Sequence, residues 1–291
     1  MYKRQVLKRE AEIACWKSVA EGGDRDSCLL TLSRQLAELD EEFGFIARCN
    51  EGGEFMSDED IERVGEIARR TWRRTLDDRL GVSWEEGQRK SRQAPQALPV
   101  EEPLLADKAE HLVERGEADR MPADNPWGFR LDVPEHKYNR GEIYNLCIRR
   151  GTLTDEERYQ INDHIVQTII MLDKLPYPRH LKAVPDIAGG HHEKMDGTGY
   201  PRRLQRDEMS LTARMMAIAD IFEALTASDR PYKKAKSVSE ALKIMSLMQQ
   251  DQHIDPELFE LFLTAGVYRQ YAERFLPAEQ LGDIDITPYL Q

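Results

Sequence analysis

The sequence predicts an all-α protein, and three observations carry that prediction. Apolar residues recur at intervals of three and four along much of the chain, as in Leu29, Leu32, Leu36, Leu39, Phe43 and Ile46. Several such runs open on residues suited to helix N-caps, among them Ser57, Thr154, Ser210 and Ser237. No stretch alternates polar and apolar residues convincingly enough to be read as a strand.

The elements follow in order. Tyr2, Val6, Ile13 and Trp16 form one stripe and Leu29 to Ile46 another, with the turn residues "EGGDRDS" between them, so residues 1–49 read as an antiparallel helical hairpin. After a break at "NEGGEFM", Ser57 starts a helix expected to carry Ile61, Val64, Ala68, Trp72 and Leu76. Hairpin and helix make an N-terminal segment of residues 1–80. Residues 81–140 lose the period. Their "SRQAPQALPVEEP" and "RMPADNPWGFRLDVPEH" are rich in proline and polar residues, which predicts a partly disordered linker with one short charged helix. Residues 141–291 return to dense helices. One runs from Thr154 to Leu175, another from about Leu181 into a double glycine, and a third covers "LTARMMAIADIFEALTAS" behind Ser210. Ser237 opens "VSEALKIMSLM", and an Asp-Pro start opens "DPELFELFLTAGVY". No repeat of fixed period is present.

Bulk properties narrow the function. The 291 residues are 40% hydrophobic and 32% charged, values of an ordinary soluble globular chain. Its longest apolar stretch, Met215 to Leu225, is interrupted by Asp220 and Glu223 and is too short to span a bilayer. The N-terminus mixes both charge signs without the apolar run of a signal peptide, so a cytoplasmic protein without a membrane partner is expected. Cys15, Cys28, Cys49 and Cys147 form no CxxC pair, which favours reduced thiols. A net charge of −12 argues against a nucleic-acid polymer as partner and requires a local basic patch for any anionic ligand.

The chemistry concentrates in "GGHHEKMDGTGYP", residues 189–201. His191 and His192 alone suit a surface helix end, where imidazoles complement the dipole. Asp220 lies within the apolar "MMAIADIFEAL" and is expected to be buried, where a carboxylate needs a partner or a metal; Glu223, one turn on, leaves an exposed edge as the alternative. His164 stands among Ile161, Ile165 and Thr168, as a core residue or as a ligand. Together the imidazoles and the carboxylate lie on three helical segments, a donor set that suits a borderline transition metal. Beyond Asp220, "SDRPYKKAKS" gathers Arg230, Lys233, Lys234 and Lys236: either a solvated helix end or a phosphate clamp, with Arg230 bidentate and Lys233 a point charge. Metal beside phosphate-binding groups points to phosphoester hydrolysis.

"HHEKMDGTGYP", with "RGTLTDEE" and His164 before it and "MMAIADIFEALTASDRPYKKA" after it, resembles the HD-GYP family over residues 141 to about 276. The resemblance implies a helical bacterial phosphodiesterase that cleaves cyclic di-GMP, or a related cyclic dinucleotide, at a site with two or three metals. Iron or manganese is the expected metal; zinc, nickel and magnesium are the alternatives. By this resemblance His164, His191, His192 and Asp220 take metal-ligand places. Tyr200, with Gly197, Gly199 and Pro201, forms the signature loop beside the substrate, and Arg230 and Lys233 take phosphate-contact places. Glu193 and Asp196 brace the loop. The family's His-Asp pair has no counterpart, because no histidine here is followed by aspartate. Longer members carry an insertion similar to "VLKREAEIACW" and "LDEEFGFIARCNEGGEFM". The expectation is a chain that begins inside that insertion, with the pair and its catalytic residues upstream and an incomplete site here. Two further readings stand beside it. One is a catalytically silent remnant that binds nucleotide or protein; the other is a homodimer formed through the hairpin.

Overall fold

The computed structural model describes residues 2–122, 124–227, 235–282 and 284–290. The chain is predominantly helical and divides into two compact units. The first comprises residues 1–120 and 134–158, the second residues 121–133 and 159–291.

In the first unit α1 (Tyr2–Ala20) and α2 (Arg25–Glu51) form the hairpin, and the Asp24 carboxylate caps α2 by accepting from Ser27 N at 2.8 Å. Ser57 caps α3 (Asp58–Ala68), accepting from Asp60 N at 3.1 Å. This helix ends earlier than its apolar spacing predicts. Trp72 lies instead on β1 (Thr71–Arg74), paired antiparallel with β2 (Val100–Pro103). A spacing of four residues fits both a helix turn and two strand repeats, so Ala68, Trp72 and Leu76 did not discriminate. The strand turns Trp72 and Arg74 inward, and Arg74 Nη2 donates to Glu102 across the ladder at 2.9 Å. That inward arginine hid the alternation.

Residues 81–140 are accordingly more structured than their composition implies. They hold α4 (Trp84–Lys90), β2, β3 (Leu112–Glu114) and β4 (His136–Asn139), the last two paired antiparallel. Their strands are three or four residues long, too short to show a period. The unit closes with α5 (Glu142–Leu146), and Phe45, Val64, Ile67 and Leu146 form its core.

α6 (Asp155–Asp173) starts in the first unit and continues as the first helix of the second. Thr154 and Glu157 cap it reciprocally, the Thr154 hydroxyl accepting from Glu157 N at 3.2 Å and the Glu157 carboxylate from Thr154 N at 3.0 Å. There follow α7 (Val184–Gly189), α8 (Leu211–Thr226) behind Ser210, α9 (Val238–Gln250) behind Ser237, and α10 (Pro256–Thr264) behind Asp255. Then come α11 (Val267–Phe275) and α12 (Ala278–Leu281). The main core joins Phe222, Leu242, Met245, Ile254, Phe259 and Leu263. A smaller one sets Phe129 against Ile165, Val166 and Ile169 of α6. Phe129 comes from residues 121–133, expected as linker but part of this unit. Asn125 fixes it there: Phe129 N donates to Asn125 Oδ1 at 2.7 Å. Among the described residues no helix is long and apolar enough to cross a membrane.

Asp255, only 1% exposed, ties α8 to α10. Its carboxylate accepts from Glu257 N at 3.0 Å, Leu258 N at 3.2 Å and Arg206 Nε at 3.0 Å, and it also pairs with Arg214. Burial pushes its pKa up, but Arg206, the Leu258 amide and Arg214 outweigh burial and hold it below the ordinary value of 3.8. Its contribution is therefore present above that value and is lost as acid takes the pH through the folded pKa. Asp255→Ala is expected to cost about 3–5 kcal/mol in urea unfolding at pH 7 by stranding two arginines. The gap to the parent should narrow below pH 3.8. The exposed Glu257→Ala should change stability by less than about 0.5 kcal/mol.

Candidate metal centre

α6 buries Ile165, Val166 and Ile169 and turns Ile161, His164 and Met171 outward, one stripe at intervals of three and seven. The end of α7 comes down beside it. A Cβ on Gly189 would lie 2.5 Å from Ile169 Cδ1, and one on Gly190 would lie 2.9 Å from Ala213 Cβ of α8. Only side chains reduced to hydrogen let α7 approach both helices so closely. The next two residues are His191 and His192, and the approach places them beside His164.

One ring nitrogen from each of His164, His191 and His192 lies within 4.8 Å of the other two, close enough for one metal ion. The ring centroids of His191 and His192 are 4.1 Å apart, and those of His164 and His192 are 5.2 Å apart. His191 Nδ1–H donates to the Ala188 carbonyl at 2.7 Å, and His164 Nδ1–H to the Ile161 carbonyl. Each bond fixes a tautomer and leaves the Nε2 lone pair free to ligate. Burial, reinforced by His191, His164 and His253, pushes the pKa of His192 down to about 4. Its imidazole is therefore neutral near pH 7, the form that binds metal.

The loop after the histidines is held from within. Glu193, 1% exposed, accepts from Arg202 N at 2.7 Å and Leu204 N at 2.9 Å, closing the loop on itself. Burial raises its pKa against those bonds. Asp196 accepts from the Thr198 amide at 2.9 Å and hydroxyl at 2.8 Å; burial raises its pKa, but these bonds outweigh it and the net shift is downward. Gly197 turns the chain at φ +78°, and a Cβ on Gly199 would stand 2.3 Å from Lys194 N. Tyr200 N then donates to the His192 carbonyl at 3.2 Å, and its ring stacks on His192 with centroids 4.8 Å apart and planes 18° apart. Burial, and secondarily Asp220, pushes the Tyr200 hydroxyl up to about 12. The Pro201 carbonyl accepts from Arg130 N at 2.7 Å.

Two expectations need correction. Asp220 and His164 are exposed, not buried. α8 turns Ala213, Ala217 and Phe222 inward and Met215, Met216 and Asp220 outward. "MMAIADIFEAL" is apolar on nearly every side, so its sequence does not mark the buried face. Asp220 also falls outside the three-histidine group, although its charge reaches Tyr200. Arg230 and Lys233 lie outside the described residues. The sequence reading missed Asn125, Phe129 and Arg130, whose signal was an Asn-Pro-Trp stretch inside apparently irregular chain. It also missed His253, whose charge bears on His192.

Residues 99–258 match the family model described as HD domain. Over 133 residues the chain is 39% identical to a cyclic di-GMP phosphodiesterase of Pseudomonas aeruginosa, covering 45% of this chain and 31% of that protein. It is 44% identical over 141 residues to a 3'3'-cGAMP-specific phosphodiesterase of Vibrio cholerae, covering 47% and 29%. A cyclic di-GMP phosphodiesterase response regulator of Xanthomonas campestris is 40% identical over 136 residues, covering 46% and 35%. The matched part thus spans about a third of the length of these relatives.

Glu193→Ala should release the loop. It leaves the part-buried Arg202 and Leu204 amides without their acceptors, at up to about 1–3 kcal/mol each. Urea unfolding should show a loss of about 2–5 kcal/mol. An unchanged midpoint would show that the loop holds without the carboxylate.

Proposed function

Because the chain belongs to the HD-domain family, and within it to the HD-GYP type, we propose that it is a metal-dependent phosphodiesterase for cyclic di-GMP or a related cyclic dinucleotide, carrying part of the catalytic site. The observation that carries this reading is the three-histidine group lying against the Gly199-Tyr200-Pro201 turn.

The donor set fits a transition metal. Two imidazoles are oriented by backbone carbonyls, and a third is kept neutral by its surroundings. His164, His191 and His192 would hold the ion, with the Asp220 carboxylate as a fourth donor, and iron or manganese is the proposed metal. Such an ion would polarise a phosphoryl oxygen and offset its developing charge. The protein's own groups do the rest. Tyr200 holds the His192 ring by stacking, its hydroxyl stays protonated near neutral pH and can donate to a phosphate oxygen, and Arg230 and Lys233 clamp the phosphate.

Incompleteness has support in the surface around the site. His164 sits between exposed Ile161 and Met171, and Asp220 follows exposed Met215 and Met216. Exposed apolar side chains on the same helices as the proposed ligands are suited to being covered, and the absent His-Asp pair is the chemistry a covering segment would add.

Two experiments follow. Reconstituted with iron, manganese or zinc, the full chain should retain about one ion per chain by elemental analysis, and His191→Ala should retain at least tenfold less. No retained metal in the parent would remove the metal site. In a steady-state assay the chain alone should hydrolyse cyclic di-GMP slowly or not at all while still binding it weakly, and a supplied segment bearing the His-Asp pair should restore turnover. Robust metal-dependent hydrolysis by the chain alone would show that its own residues complete the site.

A further inference from the structure

The first unit contains a cleft of about 390 Å³ that shares no residue with the histidine group. Its walls are mainly apolar, with Leu7, Leu39, Ile46 and Ile67 among them. Polar side chains also line it, and two of them, Trp72 and Glu42, each carry an atom sealed from water without a hydrogen-bond partner: Trp72 Nε1 and Glu42 Oε2.

These atoms are unlike the other buried unpaired ones among the described residues. The rest are the Nε atoms of Arg74, Arg202 and Arg214, whose guanidinium groups make hydrogen bonds through other nitrogens. Trp72 has a single polar atom, and it has no partner. The residue is 6% exposed, so the indole N–H forfeits its water without compensation. Glu42 is anchored by its other oxygen, which accepts from Arg70 Nε at 3.0 Å. The carboxylate cannot swing round to satisfy Oε2 without breaking that pair.

The charges lining the cleft are already matched. Lys3 Nζ donates to the Leu104 carbonyl at 2.7 Å and pairs with Glu142 at 3.1 Å, while Arg4 pairs with Asp40. A molecule entering the cleft thus meets no free charge. The lining offers apolar walls and, among its buried atoms, one unpaired donor and one unpaired acceptor.

We propose that this cleft is a binding site for an uncharged, mainly apolar organic molecule that presents a hydrogen-bond acceptor to Trp72 Nε1–H and a donor to Glu42 Oε2. Its volume falls at the lower end of the roughly 300–1,000 Å³ typical of small-molecule sites, which suits a bicyclic compound. Tyr2, 61% exposed, also lines the cleft and stands edge-on to Trp72, with centroids 5.9 Å apart.

The test uses 2-quinolone, a neutral bicyclic lactam with an N–H beside a carbonyl, and N-methyl-2-quinolone, in which the donor is blocked. The full chain is labelled with ¹⁵N at tryptophan, and the Trp72 indole signal is identified by its loss in Trp72→Phe. That substitution removes an unpaired donor and should leave the urea midpoint no lower than the parent's. 2-Quinolone should shift the Trp72 signal saturably. Calorimetry should show binding about tenfold weaker for the N-methyl compound, and about tenfold weaker for 2-quinolone on Trp72→Phe. The proposal is overturned if 2-quinolone does not bind saturably, if the methylated compound binds equally well, or if Trp72→Phe binds with unchanged affinity. The N-methyl comparison is made on the unaltered protein, so it stands even if the variant fails to fold.

Discussion

The candidate site depends on how closely α7 approaches α6 and α8. Gly189 rests on Ile169, and Gly190 rests on Ala213, at separations no side chain beyond hydrogen would permit. Ile169 and Ala213 are both buried, so neither can retreat without disturbing the core. The contact fixes where the chain leaves α7, and the next two residues are histidines. Their distance from His164 is thus set by packing and not by any attraction among the imidazoles, which would repel one another if protonated. A rigid scaffold pays for this crowding once, in folding, and then holds three ligands together before any ion arrives.

The same crowding determines the electrostatics. Burial and its imidazole neighbours keep His192 neutral, and the carbonyls of Ile161 and Ala188 hold the tautomers of His164 and His191. On the other side the loop is self-supporting: Glu193 takes two of its amides, Gly199 lets it pass against Lys194, and Tyr200 closes over His192. Phe129 and Arg130 brace it from a segment distant in sequence. The site is therefore built on packed helices and a tied loop, which suits preorganised ligands better than a mobile turn would.

What the sequence made legible follows from local physics. Ser57, Ser210, Ser237 and Asp255 each cap the helix they announced, because a cap is a contact over three residues. The hairpin was readable because α1 and α2 are long enough to repeat their period. The helix through Trp72 was misread because its spacing satisfies two periods, and the strands near residues 100, 112 and 136 were too short to show one. Asp220 was misplaced because α8 is apolar on nearly every side, and which side faces the core is decided by α7, α9 and α10. Residues 121–133 were read as linker because Asn125 and Phe129 act through one side-chain cap and one packed ring, neither of which leaves a pattern.

The central claim is that packing alone brings His164, His191 and His192 into one ligand set. X-ray absorption at the metal edge of the iron- or manganese-loaded full chain tests it most directly. The account predicts a first shell containing three imidazole nitrogens, with the outer-shell scattering of the rings, and a shell reduced to two or fewer in His164→Ala. A shell made of oxygen donors alone, or one unaffected by removing His164, would contradict it.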